Sequence, residues 1–512
     1  MKPSIVRNAL LLTGANLVMR GVSMLFQVWL ADTVGAAGIG LLQLIMTVNG
    51  LAITLGMSGI RTAAMYLSAE EYGHRRLGGV RQAMSRCLVS GFLLSSLVGA
   101  LLTVSAPRLA QFWIKDLHAI ASLRLLGLTL PLTCLSAILA GYFTACGKIR
   151  RLVAVELGDR LLTVILTAAL LRHGPTGDLS FSCLSIVGGN AHACFASTSF
   201  LLLMLLADFR TIPASASPSM GKRLTRLCLP LALNDYLRSG LGTLEQFLIP
   251  NGLSRSGQSR EQAMSAYGTI HGMVFPVLMF PSTVLFALAD LLVPELARSR
   301  AESNHERIDH LIGTCLRMGG LYAAVIAGLL YTLAVPLGHL IYGSADAGRY
   351  LQLFSPLVVM LYLDCIVDGI HKGMGQQVYC VRINTLTSFL DVAMLFFLLP
   401  RMGIDGYFLS FLVTHAINFY FSLHRLLQLT QAPFPSSFFL RSALCVAAAA
   451  FFTGLLMPAN AGWSIVIVCS GVYLALLALL LLVCGVWQDA DHRLLCRLFR
   501  SDIDKANDRL IG

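Results

Sequence analysis

Apolar runs separated by short polar breaks recur from one end of this chain to the other. A hydrocarbon layer about 30 Å thick takes roughly 20 apolar residues per helical span. On that measure the pattern predicts fourteen helices, near 8–31, 39–67, 83–106, 119–146, 151–171, 180–207, 224–249, 262–296, 311–336, 351–371, 379–399, 404–424, 438–457 and 463–486. The expected fold class is an all-α integral membrane protein: two six-helix lobes related by a pseudo-two-fold axis, plus two C-terminal helices. The corresponding divisions are an N-terminal lobe over 1–207, a cytoplasmic linker over 208–226, a C-terminal lobe over 227–430, the two extra helices over 431–487 and a basic tail over 488–512.

Composition excludes the soluble alternatives. Of 512 residues, 56% are hydrophobic and 12% charged, with a mean hydropathy of +0.73, where soluble domains carry roughly 25% charged residues. The net charge of +12 would suit nucleic acid in another setting. Here the basic residues sit in short loops between apolar runs, so no nucleic-acid partner is expected.

Those charges orient the chain. The ends and even-numbered breaks hold Lys2, Arg7, Arg75, Arg76, Arg81, Lys148, Arg150, Arg151, Arg210, Lys222, Arg223, Arg226, Arg298, Arg300, Lys372, Arg425, Arg493 and Arg497, among others, while the odd-numbered breaks hold only Arg108, Lys115, Arg172, Arg255, Arg260, Arg349 and Arg401. The positive-inside rule then places both termini in the cytoplasm of a cell membrane. Lys2 and Arg7 before an apolar run resemble a signal peptide, but the run continues past Arg20 to about Ala31 without a small-residue cleavage site and reads as a retained first helix. The break from Asp208 to Arg226, with Pro213, Ser215, Ser217 and Pro218, reads as the linker between halves. Across it, Asn16 and Arg20 of the first helix recur as Asn234 and Arg238 of the seventh, each pair on one helical face.

Charges inside membrane helices cost at least ~2.5–3.5 kcal/mol and therefore face a cavity or a partner. Arg20, Arg61, Asp235, Arg238, Glu245, His271, Asp364, Asp368 and Asp391 all fall within predicted spans. The candidate substrate contacts are Arg20, Arg238, Arg61, Asn16 and Asn234, because guanidinium groups fork onto phosphate oxygens and stay charged. The alternative is internal pairing that only holds helices together, for example Arg238 with Asp235 or Asp364. Asp235, Glu245, His271, Asp364 and Asp368 are candidate cleft or coupling groups, although His192, His271 and His415 fit core or helix-contact histidines better than proton relays. Glycines mark mobility or close packing: Gly35, Gly38 and Gly40 at an outer turn, Gly56 and Gly59 loosening the second helix, and Gly268 with Gly272 in the eighth, ahead of Pro276 and Pro281.

Catalytic and cofactor chemistry is not expected. Gly141 to Lys148 is spaced wrongly for a phosphate loop and is followed by Ile149. Thirteen scattered cysteines contain no C-x-x-C pair, so neither a disulfide framework nor a metal site is predicted.

The segments Ala15-Asn16-Leu17-Val18-Met19-Arg20 and Leu30-Ala31-Asp32-Thr33-Val34-Gly35-Ala36-Ala37-Gly38-Ile39-Gly40 resemble the start of the polysaccharide-exporter and stage V sporulation protein B group. Leu248-Ile249-Pro250, Ala266-Tyr267-Gly268, His271-Gly272-Met273, Phe280-Pro281 and Leu292-Val293-Pro294-Glu295-Leu296-Ala297 resemble the same group's seventh and eighth helices. That group belongs, with MurJ-type lipid II flippases and multidrug and toxin extruders, to one superfamily. The resemblance implies fourteen helices around a cationic cavity, and alternating access that carries lipid-linked saccharides across the bilayer. Of the arginines and acidic residue needed by lipid II flippases near the first two helices, only Arg20 matches. Phe26 stands where a second arginine is expected, and Gly40 or a neighbour where the acid is. The expected partners are membrane lipids, an undecaprenyl-diphosphate-linked saccharide and, functionally, glycosyltransferases, for a monomer. The rival is a cation-coupled drug or metabolite extruder, which Asp364, Asp368 and Asp391 would serve. A membrane scaffold or polymerising glycosyltransferase fits less well, since the outer breaks are short.

Overall fold

A computed structural model describes residues 3–74, 76–173, 175, 178–210, 220–430, 436–458 and 461–486. The side chains of 3–13, 15, 16, 230 and 291 lie outside that description. Lys2, Arg75, the side chains of Arg7 and Asn16, linker residues 211–219 and the basic tail therefore also lie outside it.

The described elements are all helical. In order they are α1 (Pro3–Met57), α2 (Ile60–Gly73), α3 (Leu77–Arg108), α4 (Ala119–Ala145), α5 (Ile149–Arg172), α6 (Leu179–Arg210), α7 (Met220–Arg255), α8 (Arg260–Gly268), α9 (Phe275–Met279), α10 (Thr283–Ala301), α11 (His305–Tyr342), α12 (Ala345–Phe354), α13 (Val358–Gly373), α14 (Gln377–Met402), α15 (Ile404–Leu429), α16 (Ser436–Leu455) and α17 (Trp463–Val483). Short π-helical stretches at Leu109–Ile114 and Thr269–Val274 extend α3 and join α8 to α9. Among the described residues, nine helices are long and apolar enough to cross a membrane, or ten if the bent pair Arg260–Met279 and Thr283–Ala301 counts as one span. This is a multi-pass integral membrane protein.

Three of the predicted segments differ in detail. No loop separates the first two: α1 runs through and kinks at Gly35, whose φ of 77° and ψ of 168° leave the helical region. Gly38 and Gly40 remain helical, so they do not form the expected turn; Gly40 instead lets α8 approach, since a Cβ there would collide with Met264 O. The second predicted helix is cut by Ser58 and Gly59, both at positive φ (43° and 73°), into the end of α1 and the separate α2. Gly56, expected to loosen this helix, instead packs tightly, its missing Cβ space bounded by Ser95 and Cys134. The eighth is interrupted over 280–282, between α9 and α10.

Helices group into two compact units, Met1–Thr283 with Val381–Ile417, and Val284–Cys380 with Asn418–Gly512. In the first unit, α2 buries the stripe Ile60, Ala63, Ala64 and Leu67 against Val80, Ala83, Met84 and Cys87 of α3, Ile138 and Tyr142 of α4, and Leu201 and Leu205 of α6. These i, i+3, i+4, i+7 spacings present one apolar face each. The G-x-x-x-G of α8 and its π-helical continuation packs on α1: a Cβ on Gly268 would strike Ala36 O and Gly40 N, and one on Gly272 would strike Ile39. In the second unit, α11 is the spine. Gly320 and Gly328 leave room for Phe439 of α16 and Tyr473 of α17, and the Tyr473 hydroxyl donates to Val325 O at 3.1 Å.

Candidate functional site: an arginine-lined cavity at a helix break

The break at Ser58–Gly59 lies beside a recess in the first unit. Backbone released from a helix at membrane depth persists only where protein or water meets its polar groups. Here Ser58 N donates to Thr54 O at 3.0 Å and Ser58 Oγ to Leu55 O at 2.8 Å, while the Tyr236 hydroxyl of α7 sits against Ser58 Oγ and 3.4 Å from Leu55 O. Gly59 is required twice over. Its φ is positive, and a Cβ would lie 3.0 Å from Leu231 Cβ and 3.3 Å from Cys228 O of α7.

Beside the break is a cavity of about 430 Å³ whose lining includes Thr54, Arg61, Thr62, Asp235, Arg238 and Ser239. Arg61 and Thr62 stand in the first turn of α2; Asp235, Arg238 and Ser239 lie on one face of α7. Neither Arg61 nor Arg238 makes an ion pair or hydrogen bond with another described residue. Both are solvent-accessible, and Glu156 of α5 lies within electrostatic reach of Arg61. With Asp235 ionised the lining carries a net positive charge. Two unpaired guanidinium groups around a polar recess can receive an anion with several oxygens.

The other expected site residues are distributed more widely. Arg20 is exposed on α1 and donates to Thr283 Oγ1 at 3.0 Å, at the residue that opens α10 after the second helix break. Thus an arginine in the first predicted helix meets the break in the eighth, and one in the seventh shares a cavity with the break in the second. Asn234 is half-buried on α7, outside the cavity lining. Glu245, nearer the other end of α7, lies within electrostatic reach of Asp391 of α14. The Asp391 carboxylate accepts from Ser410 Oγ at 2.8 Å and Thr414 Oγ1 at 3.2 Å on α15. His271 Nε2 is 3.2 Å from the Tyr407 hydroxyl, and its ring lies tilted against Tyr267 and Phe275. In the second unit, Asn418 donates to Asp364 Oδ2 at 3.0 Å, while Asp364 Oδ1 is buried without a hydrogen-bond partner. Asp368 lies one turn further along α13.

Thr54, Thr62, Ser239, Ser410 and Thr414 were not singled out by the sequence. Threonine and serine are common in membrane helices, where their hydroxyls bond back to the preceding turn. Ser58-Gly59 two residues ahead of an intramembrane arginine was the legible signal.

Comparison with known proteins agrees with this architecture. The profile of the polysaccharide biosynthesis protein family matches residues 5–299. The chain belongs to that family. Stage V sporulation protein B of Bacillus subtilis (strain 168) is 21% identical over 420 residues, covering 79% of this chain and 80% of that protein. Sporulation protein YkvU of the same organism is 23% identical over 182 residues, or 35% of this chain and 40% of the other. Among solved structures, lipid II flippase MurJ in an inward closed conformation superposes with a TM-score of 0.68 at 12% identity, covering 96% of this chain and 99% of that one. An inward-facing multidrug resistance MATE family transporter of the MOP superfamily gives 0.64 at 14% identity, covering 81% and 95%. At 12–14% identity these two likenesses show that the chain shares the fold of those membrane proteins.

Proposed function

We propose that this protein is an alternating-access flippase that moves a lipid-linked saccharide of the undecaprenyl-diphosphate type, a peptidoglycan, spore-cortex or polysaccharide precursor, across the cytoplasmic membrane. The reading includes fourteen spans in two six-helix lobes plus two, with both termini cytoplasmic. The observation that carries it is the pair Arg61 and Arg238, which share a polar cavity, outnumber the one carboxylate in its described lining and make no direct ion pair or hydrogen bond with another described side chain. A diphosphate supplies the missing counter-charge, and its saccharide fits a recess with hydroxyls from Thr54, Thr62 and Ser239. The family membership supports a saccharide cargo. Moving charge along the membrane potential contributes ~2.3 kcal/mol per elementary charge per 100 mV. The test is flipping of a labelled undecaprenyl-diphosphate saccharide by the reconstituted protein. Wild-type protein should expose the label to an added enzyme on the opposite face, and Arg238→Ala should not. Equal flipping by both rejects the assignment.

A second reading has its own observation. Glu245 and Asp391 form an acidic pair with two hydroxyls on Asp391, and Asp364 holds a buried oxygen without a partner. Such groups take up a proton or a cation, as a coupled drug or metabolite extruder requires. Dye efflux that depends on a proton or sodium gradient would favour it.

A further inference from the structure

The α2–α7 seam continues past the cavity towards the end of the helices that the loop charges assign to the cytoplasm. Arg223 lies about 18 Å below Asp235 along α7, at 1.5 Å rise per residue. There its Nη2 is 2.7 Å from Glu70 Oε2, and its Nη1 is 2.8 Å from Glu71 Oε1. One guanidinium thus bridges two adjacent carboxylates at the foot of α2. Glu71 is enclosed, its side chain 6% exposed. Its carboxyl occupies the space a Cβ on Gly79 of α3 would need, with Glu71 Cδ 2.9 Å from that point.

The same turns of α7 are docked by apolar contacts. Met220 and Leu224 are buried in the cluster formed by α2, α3, α4 and α6. Gly221 permits close approach, since a Cβ there would lie 2.5 Å from an Arg86 guanidinium nitrogen. Nearer the cavity, Gly59 rests on Cys228 O and Leu231. From Met220 to Ala232, α7 is therefore laid continuously along helices that precede the linker, with one partly exposed ionic contact at its foot; the Arg223 side chain is 32% exposed. Apolar contacts of this kind are non-directional and tolerate sliding, whereas a guanidinium bridging two carboxylates has one geometry.

We propose that the foot of α7 is a latch: Arg223, held by Glu70 and Glu71, keeps the inner end of the α2–α7 seam shut beneath the Arg61–Asp235–Arg238 cavity, and its release exposes that cavity to the inner side. The inference rests on the orientation and transport reading given above. Its test needs no substrate, so the two fail separately.

The probe is a membrane-impermeant maleimide applied from either side of oriented vesicles to protein carrying Ser239→Cys, a reporter in the cavity wall. Protein without that substitution supplies the blank for native thiols. Arg223→Gln should raise reporter labelling from the inner side about tenfold, the scale of a charge-assisted contact. Glu70→Gln with Glu71→Gln should do the same. The triple variant should exceed neither, because all three substitutions remove one interaction. Buried Cys87, in the cluster that receives Leu224, should stay unlabelled throughout, which separates unlatching from unfolding. Unchanged reporter labelling, a rise seen only from the outer side, multiplicative effects in the triple variant or labelling of Cys87 overturns the latch.

Discussion

Gly268 and Gly40 face each other so closely that a Cβ on Gly268 would lie inside the contact radius of Gly40 N and 2.9 Å from Gly40 Cα. The two helices touch backbone to backbone. Gly268→Val should therefore force them apart, costing about 1–3 kcal/mol by overpacking. A thermal-stability assay in detergent should report an earlier transition. Gly313→Ala, at a position with open space around its missing Cβ, should leave the transition unchanged.

The cavity makes a charge-specific prediction. Arg238→Ala removes one of two unpaired cations and should weaken binding of an undecaprenyl-diphosphate saccharide by roughly ten- to a hundredfold, the range of a lost charge-assisted contact. Asp235→Asn, which removes the only acidic group in the described lining, should tighten it. Equilibrium binding on solubilised protein reads both, and an equal loss in the two variants would mean Asp235 matters for structure instead.

Gly59 is more constrained than an ordinary membrane-helix glycine. Gly59→Ala places a side chain at φ 73° and 3.0 Å from Leu231 Cβ. The left-handed backbone alone costs about 1–2 kcal/mol. Thermal stability should fall by at least that amount, whereas Gly50→Ala, with nothing near its Cβ position, should change it little.

Arg223 should keep its charge over any working range. Its hydrogen bond to Glu71, outweighing partial burial, and the nearby Glu70 push its pKa above the ordinary arginine value. The folded value exceeds the unfolded one, so titration of the arginine leaves the contribution intact through the neutral and moderately alkaline range, and it fades only in strong alkali. Labelling of the Ser239→Cys reporter, corrected for thiolate fraction, should be flat between about pH 7 and pH 10.

Asp364 offers a test in the second unit. One of its oxygens is buried without a partner, and an unsatisfied buried polar group costs about 1–3 kcal/mol. Asp364→Asn should leave thermal stability unchanged or raised. If a proton or cation gradient drives transport through this residue, the same variant loses its gradient dependence, which vesicle uptake at matched and opposed gradients would detect.

Much of the fold was legible because membrane helices announce themselves by length and apolarity. The fourteen predicted segments fall on helices, though the first two run together, the second is broken at Ser58–Gly59 and the eighth over 280–282. Interruptions were harder to place. Gly35, Gly38 and Gly40 carry the same turn-forming composition, yet only Gly35 leaves the helix; the other two are small for packing, which hydropathy does not register. At the site, Arg61, Asp235 and Arg238 could be found because charges are rare in such helices. Their convergence could not, because it depends on a break two residues long and on which face of α7 meets it. Nor could spacing place Arg20 beside Thr283, far along the sequence.

The recess at Ser58–Gly59 also reshapes the electrical profile of the bilayer. A pocket with two guanidinium groups and a carboxylate holds water in preference to lipid tails, and water conducts the surface potential inwards. The voltage drop is then squeezed into whatever insulating layer remains, so on the proposed transport reading a short displacement of an anionic cargo near Arg238 would cross a disproportionate share of the field.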